Sequence, residues 1–278
     1  MKVVIAPGPA HGFRFDLIPP LEPEHRRQML WGIVLPMCRL VPSVGSVVLA
    51  QSREEAAIHE RGDIYPRRYS VECPSPGYGH VPLIRMLRDR DISLYRAPDW
   101  ATGHVRAWMK RDTIVITLRE THYGMHRNSS VAEWLDAASE LRGRGYDILF
   151  IRDTGEAYGA HFHGWPVCHA ASFDLAYRLA VYECAALNLF ISNAFTMALL
   201  APGVRAMVFG LIRDEKEFLS ADDWAARGLP KGAQYGHVGH RFRVVWSDES
   251  AERIVDAALG FLDELARAKH PIATLAGE

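Results

Sequence analysis

The amino-acid sequence predicts an α/β protein built on Rossmann-like parallel sheets. After Arg111, apolar runs of strand length alternate with amphipathic stretches of helix length, and Gly or polar residues separate them. Strands and helices that alternate at this spacing form right-handed βαβ crossovers, which make neighbouring strands parallel. The 278 residues are 49% hydrophobic and 23% charged, which is sufficient for a buried core and typical of a globular chain.

The composition argues against several classes of protein. The formal net charge is −1 and no block of like charges occurs, so we expect no nucleic-acid-binding surface. The four cysteines are scattered and form no C-x-x-C pair, which favours a cytoplasmic protein. The opening apolar run, Val3–Ala6, is too short for a signal peptide. No run approaches the ~20 residues that a membrane-spanning helix requires.

Residues 1–110 carry a weak pattern of elements. The runs Lys2–Ala6 and Ser46–Ala50 predict strands, and Ile92–Tyr95 predicts another. Helices are predicted at Glu24–Leu40, Arg53–Glu60, His80–Asp89 and Asp99–Lys110. We place the boundary between two halves of the chain after residue 110, where the pattern becomes regular.

Residues 111–278 carry the regular pattern. Thr113–Leu118 is a largely apolar run, as expected of a strand that is covered on both faces. Ser129 is predicted to cap the helix that follows, and Gly143 and Gly145 to end it. Further strands are predicted at Asp147–Ile151, Leu189–Ser192 and Arg205–Phe209, and further helices at Ala170–Ala186, Ala194–Leu200 and Glu249–Lys269.

Polar loops follow the predicted strands at the edge where parallel sheets bind ligands. In such a sheet, ligands lie in the crevice beyond the carboxyl ends of the strands. The loops concerned are Arg119–Ser129, Arg152–Glu156 with the His-rich stretch beyond it, and Ser192–Ala194. We therefore expect the chemistry of the protein to lie in these loops.

Two arginines flank the first loop, and a helix begins directly behind it. Arg119 and Arg127, with the N–H groups of that helix start, form a receptor suited to a phosphate or diphosphate. The alternative is a structural ion pair between one arginine and Asp153 or Glu120. Neither G-x-x-x-x-G-K nor G-x-G-x-x-G occurs, so a P-loop NTPase or an ordinary NAD dehydrogenase is not expected.

The other two loops each permit two interpretations. His161 and His163 are spaced to lie on one side of an extended segment, and with Asp153 they would complete a metal site. Isolated pairs of this kind are common, so histidines that form hydrogen bonds or act as a base are the simpler interpretation. Ser192 and Asn193 would present polar groups and helix N–H donors to a ligand, or Asn193 would simply cap the helix.

Several segments taken together resemble a known family. They are Ile114–Arg119, Arg127–Ser130, Ile148–Asp153 and Leu187–Asn193. Their order resembles the C-terminal nucleotide-sugar-binding domain of GT-B glycosyltransferases, with the fucosyltransferase-like branch nearest. In that branch a strand ends in an arginine-bearing motif that holds the donor diphosphate. The resemblance implies that Arg119 contacts a diphosphate and that Ser192 and Asn193 belong to the donor site.

The resemblance also implies a division of labour between the halves. Residues 111–278 would bind the nucleotide-sugar, and residues 1–110 would form a short acceptor-side half. The leading hypothesis is a metal-independent glycosyltransferase that needs no cofactor, uses a nucleotide-sugar as co-substrate and transfers the sugar to a hydroxyl of a carbohydrate or other acceptor. The candidate bases for that hydroxyl are His122, His126, Asp153 and Glu156.

Two alternatives belong to other classes. One is a metal-dependent hydrolase of a phosphorylated small molecule, with Asp153, His161 and His163 as ligands. The other is a non-catalytic α/β binding protein that kept the sheet and lost the chemistry. Bound zinc or manganese would favour the first alternative, and failure to bind any nucleotide would favour the second.

Overall fold

The chain divides by its contacts into two compact units, Met1–Leu83 and Ile84–Glu278. The computed structural model describes residues 1–6, 23–60, 94–122, 125–158, 162–192, 195–212 and 220–269. The division falls ahead of the boundary expected after residue 110, and the functions assigned to the two halves stay predictions. The predicted helix at His80–Asp89 lies outside the described residues.

The predicted helix at Glu24–Leu40 forms in consecutive parts. Helix α1 (Pro23–Met29) passes through a π-helical turn, Leu30–Val34, into helix α2 (Leu35–Arg39). Pro36 has no N–H to donate to the carbonyl four residues earlier, so an α-helical hydrogen bond is missing there. The helix widens into the π turn directly ahead of that proline.

The described part of the first unit also contains a parallel strand pair. Strand β1 (Lys2–Ile5) pairs with strand β2 (Ser46–Leu49), as the sequence predicted. Helix α3 (Arg53–Ile58) follows. The hydroxyl of Ser52 accepts a hydrogen bond of 3.1 Å from the backbone N–H of Glu55, and this contact fixes where α3 begins.

The second unit contains an all-parallel five-stranded sheet, which confirms the α/β class. Its strands are β3 (Thr113–Thr117), β4 (Asp147–Ile151), β5 (Leu187–Phe190), β6 (Ala206–Val208) and β7 (Phe242–Val244). They stand in the order β4-β3-β5-β6-β7. The sequence did not predict β7, because a strand this short gives no recognisable period.

Helices cover both faces of this sheet. They are α4 (Asp99–Trp108), α5 (Val131–Gly143), α6 (His169–Phe173), α7 (Leu175–Cys184), α8 (Phe195–Leu199), α9 (Ala221–Ala226) and α10 (Ala251–Lys269). The predicted helix at Ala170–Ala186 is broken at Asp174. The carboxylate of Asp174 accepts a hydrogen bond of 2.9 Å from the backbone N–H of Tyr177, so this residue ends α6 and begins α7.

Two further observations concern the predicted elements. Leu94 and Tyr95 were expected in a strand but are not in one; both of their N–H groups donate to the carbonyl of Leu200, at 2.9 and 3.2 Å. In the part of the chain that the structure describes, no helix has the length and apolar character needed to cross a membrane.

Side chains of the large sheet alternate between its two faces. Ile116 belongs to the core on the face covered by α5 and α10. The next residue, Thr117, points to the other face, where α7 packs and α4 packs against α7. There the hydroxyl of Tyr182 lies 3.1 Å from the hydroxyl of Thr117, and both groups are buried. A sheet buried on both faces explains why β3 reads as a largely apolar run.

One residue of each outer strand of the sheet is paired with a neighbouring part of the chain. At the β4 edge, Phe150 donates its N–H to the carbonyl of Pro166 at 3.0 Å, and Cys168 donates its N–H to the carbonyl of Phe150 at 2.8 Å. At the β7 edge, the side-chain amide of Gln234 donates to the carbonyl of Val244 at 2.8 Å and accepts from its N–H at 2.7 Å. At Phe150 and Val244, backbone groups that an edge strand would leave open are thereby paired.

A buried hydrogen bond joins the two helices on one face, and its removal should destabilise the fold. The indole Nε1 of Trp134 on α5 donates to Oε2 of Glu249, 2.6 Å away and directly ahead of α10; both residues are buried. Glu249→Ala leaves this indole N–H without its acceptor, so we expect the free energy of unfolding to fall by about 1–3 kcal/mol. Urea unfolding measures it. Asp263→Ala, on the exposed side of α10, is the control, and an equal loss in both variants would contradict the prediction.

The Glu183 carboxyl should make stability depend on pH. Burial raises the pKa of Glu183 above its ordinary value, although the hydrogen bond from the N–H of Ala97 and the charges of Arg96 and Arg106 oppose this. A carboxyl with a raised pKa in the folded state opposes folding once it ionises. We therefore expect wild type to lose stability relative to Glu183→Gln as the pH rises from about 4, near the unfolded pKa of glutamate, to about 7.

Urea unfolding of both proteins across this pH range tests the expectation. Below about pH 4 the difference in stability between the two should no longer change with pH, because the carboxyl is then protonated in both the folded and the unfolded state. Glu140→Gln, at an exposed position on α5, is the matched control. If the free energy of unfolding of wild type instead rises relative to that of Glu183→Gln as the pH rises, the ionised carboxylate is stabilising and the prediction is wrong.

Candidate functional site

The connections of the large sheet change direction between β3 and β5. From β3 the chain runs to β4 on one side, and then crosses over β3 to reach β5 on its other side. Thr117 at the end of β3 lies opposite Phe190 at the end of β5. Loops that leave such neighbouring strands turn to opposite faces, so a crevice opens between them. The predicted loops after β3 and β5 meet at this crevice.

Arg127 and Ser192 bridge the crevice. Nη2 of Arg127, a half-buried residue, donates to the backbone carbonyl of Ser192 at 2.8 Å. Ser192 is 5% exposed, and its hydroxyl oxygen has no hydrogen-bond partner among the described residues. A buried hydroxyl without a partner is unfavourable by about 1–3 kcal/mol, so its presence calls for a ligand or another reason.

Arg119 is turned into its own loop. It is 4% exposed, and its Nη1 donates to the hydroxyl of Thr121 and to Oδ1 of Asn128, the latter at 2.6 Å. The side-chain amide of Asn128 donates in turn to the carbonyl of Thr121 at 2.9 Å. Arg119 therefore joins the beginning and the end of the loop after β3. The predicted diphosphate contact by Arg119 stays a prediction.

Ser129 has a different function from the one predicted. Its hydroxyl accepts a hydrogen bond of 3.0 Å from the N–H of Arg119, and its own N–H donates to the carbonyl of Arg119 at 3.0 Å. Ser130, not Ser129, is the cap residue of α5, and it forms no side-chain cap bond. The prediction that Ser129 caps this helix is therefore wrong. The hydroxyl closes the loop onto the end of β3 instead.

Arg152 holds the loops after β3 and β4 together. Its Nη2 and Nε donate to Oε1 and Oε2 of Glu120, at 2.5 and 2.9 Å, and the two side chains are 14% and 12% exposed. Its Nη1 donates to the carbonyl of Glu156 at 2.7 Å, and the guanidinium lies 4.5 Å from the ring centre of Phe162. The carboxylate of Glu120 is thus paired with Arg152. The alternative expected from the sequence paired Glu120 or Asp153 with Arg119 or Arg127, and it did not include Arg152.

Sequence reasoning assigned no function to Arg152. The signal was present, because Thr117 of β3 pairs with Ile151 of β4, so Glu120 and Arg152 follow adjacent strand ends. Opposite charges placed there are expected to meet. The register between the strands, which the sequence does not show, was needed to see it.

The candidate bases fall into two groups. Oδ2 of Asp153 accepts a hydrogen bond of 2.6 Å from the N–H of Glu120, and Oε2 of Glu156 lies 3.5 Å from Nη2 of Arg152. The side chain of Glu156 is 38% exposed. His122 and His126 are exposed on the surface of the first loop. The structure therefore places the Glu156 carboxylate beside Arg152 and the Asp153 carboxylate on the backbone of Glu120, and it leaves both histidines at the surface.

The remaining candidates concern a metal and the third loop. Within the described ranges, no group of His, Cys, Asp and Glu side chains is arranged to hold a metal ion. His163 is exposed and has a φ of 52°. His161 and Asn193 lie outside the described residues, so the metal-dependent hydrolase and the helix cap by Asn193 stay hypotheses.

Comparisons with known proteins find similar solved structures, and two of them are glycosyltransferases by name. No protein-family model matches the chain, and no curated protein matches it significantly. It is similar to Escherichia coli ADP-heptose LPS heptosyltransferase II, with 11% identity, a TM-score of 0.41, and coverage of 61% of this chain and 53% of that one. It is also similar to a glycosyl transferase family 9 protein of Veillonella parvula, with 12% identity, a TM-score of 0.43, and coverage of 80% and 64%.

The chain thus spans only part of the length of both neighbours, 53% and 64%. Neither name refers to the fucosyltransferase-like branch, which stays a prediction. At identities this low, likeness between two structures concerns the course of the chain and says nothing about activity.

Proposed function

We propose that this chain is a glycosyltransferase that moves a sugar from a nucleotide-sugar to a hydroxyl acceptor without a metal ion. The observation that carries the proposal is the contact of Arg127 with Ser192 at the switch point of a parallel sheet. A guanidinium and a buried hydroxyl lie there, where such sheets bind ligands. Both groups are suited to the oxygens of a diphosphate.

Fixed positive charge would drive departure of the diphosphate. Negative charge grows on that group as its bond to the sugar breaks, and oriented cations stabilise it without rearrangement. Arg127 is the direct contact in this proposal. Arg119 is buried beneath the same loop, and it adds its charge and holds the loop that carries Arg127. The carboxylate of Glu120 is already paired with Arg152. It therefore neutralises less of the positive charge of Arg119 and Arg127.

The transfer step needs a base as well as a leaving group. The acceptor oxygen forms a bond to the anomeric carbon, and the bond from that carbon to the diphosphate oxygen breaks. The diphosphate leaves with the electron pair, and the base takes the acceptor proton. Glu156 has the exposure that contact with an acceptor requires, while one oxygen of Asp153 already accepts from Glu120. His122 and His126 stay candidates.

A non-catalytic binding protein of the same fold is the second candidate. The observation that favours it is the inward hydrogen bonding of Arg119 to Thr121 and Asn128. A loop that satisfies its own arginine is stable without a ligand, as expected of a protein that lost its chemistry.

Arg127→Ala should weaken binding of the nucleotide. We expect one of GDP, UDP, ADP or CMP to raise the melting temperature of wild type, since a ligand at ~100 times its Kd adds about 2.7 kcal/mol. The variant should bind that nucleotide roughly 10- to 150-fold more weakly, because a hydrogen bond to a charged group contributes about 1.5–3 kcal/mol. Thermal shift over a nucleotide titration, with and without EDTA, measures both.

The control is Arg144→Ala, which removes an exposed arginine at the far end of α5. It should bind the nucleotide as wild type does. Equal affinity in Arg127→Ala and wild type would remove Arg127 from the site. Loss of binding in EDTA would overturn the metal-independent mechanism, and no response to any nucleotide would favour the non-catalytic protein.

Replacing the base should affect turnover and not nucleotide binding. We expect one of Glu156→Gln, Asp153→Asn, His122→Gln or His126→Gln to lower kcat by about 10²–10⁴-fold, the usual contribution of a general base. The assay is release of the nucleoside diphosphate from its sugar conjugate, with the thermal shift repeated on each variant. Four variants with nearly normal kcat would show that the base lies elsewhere.

A further inference from the structure

Two exposed aromatic side chains contact each other beside the end of β4. Tyr158 is 80% exposed and Phe173 is 44% exposed. Their ring centres lie 5.2 Å apart and the ring planes are inclined by 54°. We call these two residues the aromatic pair. Single exposed aromatics are ordinary on protein surfaces, but two in contact expose a joint apolar surface.

The segments that carry the aromatic pair are fixed to each other. The hydroxyl of Thr154 donates to the carbonyl of Ser172 at 2.9 Å, and the hydroxyl of Ser172 donates to the carbonyl of Arg152 at 2.9 Å. Nδ1 of His169 lies 2.7 Å from the carbonyl of Ala157. These hydrogen bonds hold the segments of the aromatic pair in place at the carboxyl end of β4. A ligand that binds the pair would therefore not have to order these segments.

The surroundings of the pair indicate the size and chemistry of its ligand. A protein partner commonly needs about 800 Å² of surface on each side, whereas a buried aromatic side chain covers about 150–250 Å². The exposed surface of the pair is thus large enough for one small ring and too small for a protein partner. Glu156 precedes Tyr158 by two residues in the chain, and its carboxylate is partly exposed. Aromatic faces take C–H groups and carboxylates accept from hydroxyls, and a pyranose presents both.

We propose that the aromatic pair is the platform for an acceptor sugar. The C–H face of a pyranose stacks on Tyr158 and Phe173, and its hydroxyls reach the carboxylate of Glu156. This inference rests on the proposed function, in which the donor diphosphate lies between β3 and β5. Strand β4 is the neighbour of β3, about 5 Å away, on the side opposite β5. The acceptor is therefore a carbohydrate and approaches from the β4 side.

Saturation-transfer NMR with simple methyl glycosides tests the platform. The probes are the methyl glycosides of glucose, galactose, mannose and N-acetylglucosamine. At least one should receive saturation at its ring C–H protons, and its Kd follows from a titration. Tyr158→Ala and Phe173→Ala should each raise that Kd by about 2- to 10-fold, the contribution of one aromatic contact. Tyr158→Phe keeps the ring and should bind as wild type does.

Trp100→Ala is the matched control, because Trp100 is an aromatic residue on α4 that is 60% exposed. It should leave the Kd of the glycoside unchanged. Wild type without saturation of any methyl glycoside would overturn the platform, and so would an unchanged Kd in both alanine variants of the pair. Unaltered melting temperatures should show that all these variants fold.

The nucleotide titration separates this inference from the proposed function. If the protein binds a nucleotide but neither alanine variant of the pair changes the Kd of the glycoside, the donor site is retained and the platform is rejected. Glycoside binding that depends on the pair, in a protein that binds no nucleotide, would retain a carbohydrate site and reject the transferase.

Discussion

The ion pair between Arg152 and Glu120 is the interaction on which the ligand edge depends. Both side chains are largely buried, and a charge in such a place is unfavourable unless a partner is held in good geometry. The two-pronged contact supplies that geometry, and it ties the ends of β3 and β4 to one another. Close to this pair, Ser129 bonds back to Arg119 at the end of β3, and Arg127 bonds to Ser192 after β5.

The proposed donor and acceptor sites share this framework. The guanidinium of Arg152 bonds to the carbonyl of Glu156, and the carbonyl of Arg152 accepts from Ser172, which precedes Phe173. One residue therefore connects the loop that would hold a diphosphate with the segments that would hold a sugar. A shared support keeps two reactants at a fixed separation, which is the requirement for transfer between them.

The sequence predicted the sheet and its ligand edge more completely than the side chains there. Apolar runs and turn residues are local signals, and they located β3, β4 and β6 well. Whether a side chain turns inward or outward depends on partners distant in sequence. Arg119 lies inward because its guanidinium donates to the side chain of Asn128. The hydroxyl of Ser129 bonds to the backbone of Arg119 at the strand end and not to the helix start that the sequence suggested. The break at Asp174 was missed because its neighbours on both sides favour helix.

The covered edges of the sheet have a consequence for how this protein meets other molecules. The side-chain amide of Gln234 makes the two hydrogen bonds to Val244 that a neighbouring strand would make. The backbone carbonyl of Pro166 accepts from Phe150 in the same way. An incoming peptide would have to break those bonds before pairing with Phe150 or Val244, so extension of the sheet is less favourable at these two positions. A partner molecule then gains more from contact with side chains at the ends of the strands than from pairing with the backbone at these positions.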